Sequence, residues 1–258
     1  MNGTSARFLK IIPLIIVFLT ALACPAFSED NKALIEKAEG GDAKAQHTLG
    51  LSYILGKDYT EAVKWFRRAA EQGNANSQSL LGGFYLIGLG VPIDFAEAVK
   101  WSLRAAEQGD IYAQSRLGFA YDDGQGVLQD YTEAVRWYRK AAGQGDVKAQ
   151  FNLGVAYDNG RGVTRDYSEA VKWYRKAAEQ GNAKAQFNLG SSYHSGQGVP
   201  QDYVLAYFWY SLSASRFTGE QYVQPTKSKD QVAKKLTPEQ LMKAQQMARE
   251  WEAKHPRK

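Results

Sequence analysis

Apolar residues recur along this chain with a helical beat that restarts at fixed intervals. Between Asp146 and Gly181, Ala149, Leu153 and Ala156 fall at i, i+4 and i+7, one face of an α-helix. The run Asp158-Asn-Gly-Arg-Gly-Val163 then interrupts with turn-forming residues. A second beat follows, with Ala170, Trp173 and Ala177 at i, i+3 and i+7. Asp166 is placed to cap this helix, and Glu169 stands three residues on, the spacing of a capping box. Gly181 sits where a left-handed C-terminal residue is wanted, and Asn182 can cap the next helix. The pattern predicts two helices joined by a turn.

The same text returns throughout the chain. Trp65, Trp101, Trp137, Trp173 and Trp209 are each 36 residues apart. Leu-Gly pairs end at Gly50, Gly82, Gly118, Gly154 and Gly190, each followed by a tyrosine four residues after the Leu. The first interval is 32 because the first copy lacks four loop residues. Asp58/Glu61, Asp94/Glu97 and Asp130/Glu133 repeat the capping device, whereas Asp202 is followed by Leu205. Glycine costs helix propensity, so its recurrence asks for close approach of a neighbouring helix. Tryptophan set against small alanines reads as a knob between such helices. A period in the range of about 20–50 residues marks a stacked repeat architecture.

The Leu-Gly pair, the Tyr at +4, the Gly-x-Gly-Val loop, Asp-Tyr, Ala-x-x-Trp, Ala-Ala and the closing Gly resemble the Sel-1-like repeat family, a branch of the tetratricopeptide-type solenoids. The resemblance covers roughly residues 42–217. It implies an all-α fold, a right-handed superhelical αα-hairpin solenoid of five repeats with N- and C-terminal capping helices. It also implies a scaffold that binds protein partners, although fold alone does not name a function. The expected organisation is a signal peptide over 1–28, a capping helix over 29–41, five repeats over 42–217, a mobile polar connector over 218–235, and a capping helix and tail over 236–258. Thr237, Pro238 and Gln240 give the last helix a strong start signal.

Arg7 and Lys10 precede the apolar run Ile11–Ala23, which reads as a secretory signal and is short for a membrane span. Cleavage fits after Ala23 or Ser28, with Ser28 preferred, and periplasmic or secreted localisation follows. Cys24 is the only cysteine, so no internal disulfide forms. Lipidation of Cys24 would give a membrane-tethered assembly lipoprotein, but Ala21 and Leu22 stand in the reverse of the usual lipoprotein order. Some secreted relatives carry paired cysteines in each repeat. This chain has none there, so packing must stabilise it.

The formal charge of +5 sits at the ends of the chain. Residues 219–258 hold nine Lys/Arg against five Asp/Glu, which leaves the repeats nearly neutral. A nucleic-acid-binding stripe is therefore not expected. His47, His194 and His255 lack metal-ligand spacing, so no metal and no cofactor are expected. The adjacent pair His194-Ser195 is a poor base and nucleophile, because neighbouring residues rarely point at each other. The resemblance raises one alternative, a weak beta-lactamase-like hydrolase of cell-wall-related compounds. The Ser-x-x-Lys and Lys-Thr-Gly strings of such serine enzymes do not occur.

By analogy with tetratricopeptide repeats, the first helix of each pair should line the binding groove. Positions 3, 6, 10 and 13 of each copy share one helical face. They give Tyr112, Ser115, Phe119 and Asp122, then Lys148, Phe151, Val155 and Asp158, then Lys184, Phe187, Ser191 and His194. Asn152 and Asn188 lie beside this stripe and suit a peptide backbone. Unlike the Leu-Gly and Trp positions, the stripe varies between copies. Its alternative role is to fill gaps between adjacent first helices.

Overall fold

The computed structural model describes residues 29–216 and 223–256. Every regular element among them is a helix. The signal segment, Cys24 and both cleavage sites lie outside the described residues. The helices are α1 (Glu29–Glu39), α2 (Ala43–Leu55), α3 (Tyr59–Glu71), α4 (Ala75–Ile87), α5 (Phe95–Glu107), α6 (Ile111–Asp123), α7 (Tyr131–Gly143), α8 (Val147–Asn159), α9 (Tyr167–Glu179), α10 (Ala183–Ser195), α11 (Tyr203–Arg216), α12 (Val223–Ala233) and α13 (Pro238–Lys254). The five Leu-Gly helices are α2, α4, α6, α8 and α10, each followed by its Trp helix.

The chain divides into two compact units, one reaching Ala113 and including Gln125–Val127, the other comprising Gln114–Gly124 and Leu128 onward. In the first unit, Ala38, Ala45 and Leu49 form one core cluster with Leu34 and Ile35 of α1. A second cluster joins Phe66 of α3, Leu81 and Phe84 of α4, and Trp101 of α5. In the second unit a continuous core runs from Ala170 and Tyr174 through Leu189 and Leu212 to Val232, Ala244 and Ala248. The last three residues bring α12 and α13 against α11.

The helix starts follow the sequence signals with one change. Asp58, Asp94, Asp130 and Asp166 each accept a hydrogen bond from the backbone N–H of the glutamate three residues on. Those glutamates do not complete the box. Glu61, Glu97, Glu133 and Glu169 turn instead to Lys64, Lys100, Arg136 and Lys172 three residues further along. At Thr237 both halves of a capping box form with Gln240. Asp202, followed by Leu205, keeps the aspartate half, with the Leu205 N–H at 2.9 Å.

Two expectations need correction. The stretch 218–235, read as a mobile polar connector, contains α12. Its polar composition hides a helical face, for Pro225, Ser228 and Val232 are buried at i, i+3 and i+7. The tryptophans are not uniformly buried. Trp101, Trp137 and Trp209 are, whereas Trp65 and Trp173 are half-exposed. In the fourth repeat the fully buried ring is Tyr174, next to Trp173.

Candidate functional site

The repeated glycine has a definite partner. A Cβ on Gly154 would stand 2.6 Å from Tyr174 Cδ1, and Gly118 and Gly190 face Tyr138 and Tyr210 in the same way. Gly50 faces Phe66. The second copy carries the buried Ser102 at the equivalent place, and its Gly82 is buried as well. The glycine therefore admits an aromatic ring from the following helix into close contact with the first. A second glycine is dictated by backbone contact. Gly162, at φ +67°, would put a Cβ 2.1 Å from the carbonyl oxygen of Tyr131, where the loop crosses the start of α7.

These rings form the floor beneath the variable stripe. Phe119 meets Tyr138 edge-on at 5.7 Å, Phe151 lies 6.0 Å from Tyr174, and Phe187 lies 5.4 Å from Tyr210. Phe119 is 39% exposed, and Phe151, Val155 and Phe187 are half-buried. Lys148 and Lys184 are exposed at the N-terminal ends of α8 and α10. Tyr112 is also exposed but belongs to the first unit. Ser115, the sixth position of its copy, is not on the surface. It is buried, and its hydroxyl donates to the Asp146 carboxylate at the start of α8.

The tyrosine hydroxyls tie neighbouring first helices together. Tyr174 donates to Asp158 at 3.1 Å, with Asn188 of the next first helix beside it. Tyr138 stands likewise between Asp122 and Asn152. Burial, then the Asp122 and Asp158 carboxylates, push the Tyr138 and Tyr174 phenols well above their ordinary range. Burial and Asp123 also raise Asp122, against the opposing charge of Arg161. Asp122, Tyr131, Tyr138, Asn152, Val155 and Arg161 line a small cleft there. The Asn152 Nδ2 is buried in it beside the Tyr138 hydroxyl.

A glutamine ladder runs beneath the stripe, and sequence reasoning missed it. Gln150 Nε2 donates to the Ala142 carbonyl, and Gln150 Oε1 accepts from Gln180 at 2.8 Å. Gln46 and Gln78 do the same in the first unit, with Gln72 and Gln108 as donors. The signal was present as an invariant Gln before each Leu-Gly. In the fifth copy Arg216 replaces the donor glutamine, and Gln186 Oε1 is buried without a partner.

The other sequence candidates fall elsewhere. Ser195 Oγ donates to the Ser191 carbonyl, while the His194 ring packs against Tyr203 and Tyr210. No group of three metal-ligating side chains occurs among the described residues.

The fold places the chain in a class of αα-hairpin repeat proteins, and comparison specifies which. The Sel1 repeat model matches at 43–74, 75–110, 111–146, 147–182 and 183–216, so the chain belongs to the Sel1 repeat family. A Sel1 repeat protein from Oxalobacter formigenes superposes with a TM-score of 0.72 at 33% identity, covering 87% of this chain and 94% of that one. A protective antigen of uropathogenic Escherichia coli strains, displaying an SLR fold, gives 0.68 at 36% identity over 85% of this chain and 56% of that one. The secretory immunoglobulin A-binding protein EsiB of Escherichia coli is 46% identical over 65 residues, 22% of this chain and 13% of EsiB. The chain spans under a third of the length of the curated relatives it matches.

Proposed function

We propose that this chain, in a family whose members generally mediate protein–protein interactions, is an exported scaffold and that its second unit binds a segment of a protein partner across α6, α8 and α10. Phe119, Phe151 and Phe187 anchor the partner and Lys148 and Lys184 flank it, while Asn152 and Asn188, which the sequence also offered for the groove, face the Tyr138 and Tyr174 hydroxyls instead. One observation carries the reading. The floor of glycine and tyrosine is repeated, while the phenylalanines resting on it stay half-exposed and the stripe changes from copy to copy. Packing alone asks for a repeated residue, whereas recognition asks for a varied one.

The test is a Phe119→Ser, Phe151→Ser, Phe187→Ser variant. Phe151 and Phe187 pack against the core with only part of each ring exposed, so each change should cost less than the about 3–5 kcal/mol of a fully buried aromatic. The variant should stay folded at a lowered melting temperature and lose partner capture from envelope extracts. A collapse in melting temperature would assign the rings to the core, and undiminished capture in a folded variant would refute the groove. Export rests on Arg7, Lys10 and the Ile11–Ala23 run. The exported protein should have an intact mass that starts near Glu29, and retention of Met1 would contradict it.

A further inference from the structure

Lys148, Phe151, Val155 and Asp158 follow a 3-4-3 spacing and share one face of α8. The face has opposite charges at its two ends. Lys148 and Lys184 stand at the N-terminal ends of α8 and α10, and Asp122, Asp123 and Asp158 at the C-terminal ends of α6 and α8, where Arg161 offsets one of the three negative charges. Phe119, Phe151, Val155 and Phe187 lie between them.

The lysines differ from the cations of the Trp helices. There Arg136 and Lys172 are neutralised by Glu133 and Glu169 on the same helix. Among the described residues, Lys148 and Lys184 form no ion pair. Their charge is available to a partner.

Width decides the partner's shape. Lys148 and Asp158 are ten residues apart on α8, roughly 15 Å at about 1.5 Å per residue. An extended strand laid across the helices, about 5 Å wide in the plane of a sheet, reaches only one rim, and one laid along α8 at about 3.3 Å per residue reaches both but leaves Phe119 and Phe187 uncovered. A helix laid across them, about 10–12 Å wide with its side chains, reaches both rims once a contact of about 3 Å is added at a rim. Resting on the groove reading above, we propose that this face takes an amphipathic helix. Its apolar stripe sits on the phenylalanines, its carboxylates lie along the lysine rim, and its cations lie along the aspartate rim. Turning such a helix end for end exchanges its flanks, so the two rims also set its direction.

Three labelled 18-residue helical peptides with the same leucine stripe test this against the full chain by fluorescence anisotropy. One carries Glu on one flank and Lys on the other, one carries Glu on both, and one carries Lys on both. The mixed peptide should bind tightest, about fivefold over either control, because exposed ion pairs are individually weak. The margin should shrink as salt shortens the screening length. A Lys148→Glu, Lys184→Glu variant, altered only at exposed positions, should keep its melting curve and make the all-Lys peptide the tightest. Equal affinities, no binding by any peptide, or a ranking unmoved by the lysine variant would overturn the proposal. Binding that survives the triple phenylalanine change overturns the groove reading as well. Binding abolished by that change, with a flat ranking among the peptides, overturns this proposal and leaves the groove reading standing.

Discussion

Gly154→Ala should destabilise the protein although alanine is the better helix former. The new Cβ would lie 2.6 and 2.7 Å from Tyr174 Cδ1 and Cε1 and 3.3 Å from the Ala170 carbonyl oxygen. Carbon contacts are most favourable at about 3.5–4.0 Å, so the ring must retreat by about 1 Å. It has little freedom to do so. Tyr174 is 1% exposed, its hydroxyl is bonded to Asp158, and Phe151 packs on it. Overpacking of this kind costs about 1–3 kcal/mol, and the gain in helix propensity returns about 1 kcal/mol. A net loss of about 1 kcal/mol, and no more than about 2 kcal/mol, is expected. Tyr174→Ser alone should cost about 3–5 kcal/mol, the range for losing a large buried ring. In that background Gly154→Ala should become neutral or stabilising, because the ring atoms that the new Cβ meets are gone. Urea denaturation followed by circular dichroism on all four proteins closes the cycle, with a coupling of about 2 kcal/mol. Hydrogen exchange should confine the loss to α8, α9 and their neighbours, since repeats communicate mainly with adjacent repeats. An equal cost of Gly154→Ala with and without the ring would refute the assignment of Gly154 as the seat of Tyr174.

Two further outcomes follow from buried polar groups. Gln150→Leu removes its two hydrogen bonds, to the Ala142 carbonyl and from the Gln180 amide, each worth about 0.5–1.5 kcal/mol, and should cost about 1–3 kcal/mol by urea denaturation. Gln186→Leu should cost less, because Gln186 Oε1 has no partner to lose, and equal costs would mean the ladder contributes nothing. Burial holds the His47 imidazole below its ordinary value of about 6.5 while Nδ1 pairs with Ser77 Oγ. A depressed histidine contributes stability that is complete above the unfolded value and is lost as pH falls through the folded value. Melting temperature should therefore fall more steeply below about pH 6.5 in the natural protein than in His47→Gln, and parallel curves would refute this.

The period of 36 exposed the helix pairs because each cap and each glycine turn is a local device written in adjacent residues. Asp166 announces α9, and nothing distant is needed to know it. The partner of Gly154 is different in kind, since Tyr174 lies twenty residues away on the facing helix. The sequence offers Trp173 as the conspicuous neighbour, and only packing selects the residue beside it. The pairing was still open to a comparison between copies. Phe66, Tyr138, Tyr174 and Tyr210 occupy one position opposite a glycine, and Ser102 is the single small exception.

The same distinction separates α12 from the other helices. Pro225, Ser228 and Val232 belong to a helix that has no second copy, so no period could reveal it. Repetition also explains why the site is harder to read than the fold. A residue that recurs at every turn of the stack answers to packing, and recurrence makes it visible. A residue that recognises a partner answers to something outside the chain and is free to differ, as Ser115, Phe151 and Phe187 do at one position. Ser115 proved to be internal, held by Asp146, so variation alone does not mark the surface. Variation combined with half-exposure over a repeated floor does, and Phe119, Phe151 and Phe187 meet both conditions.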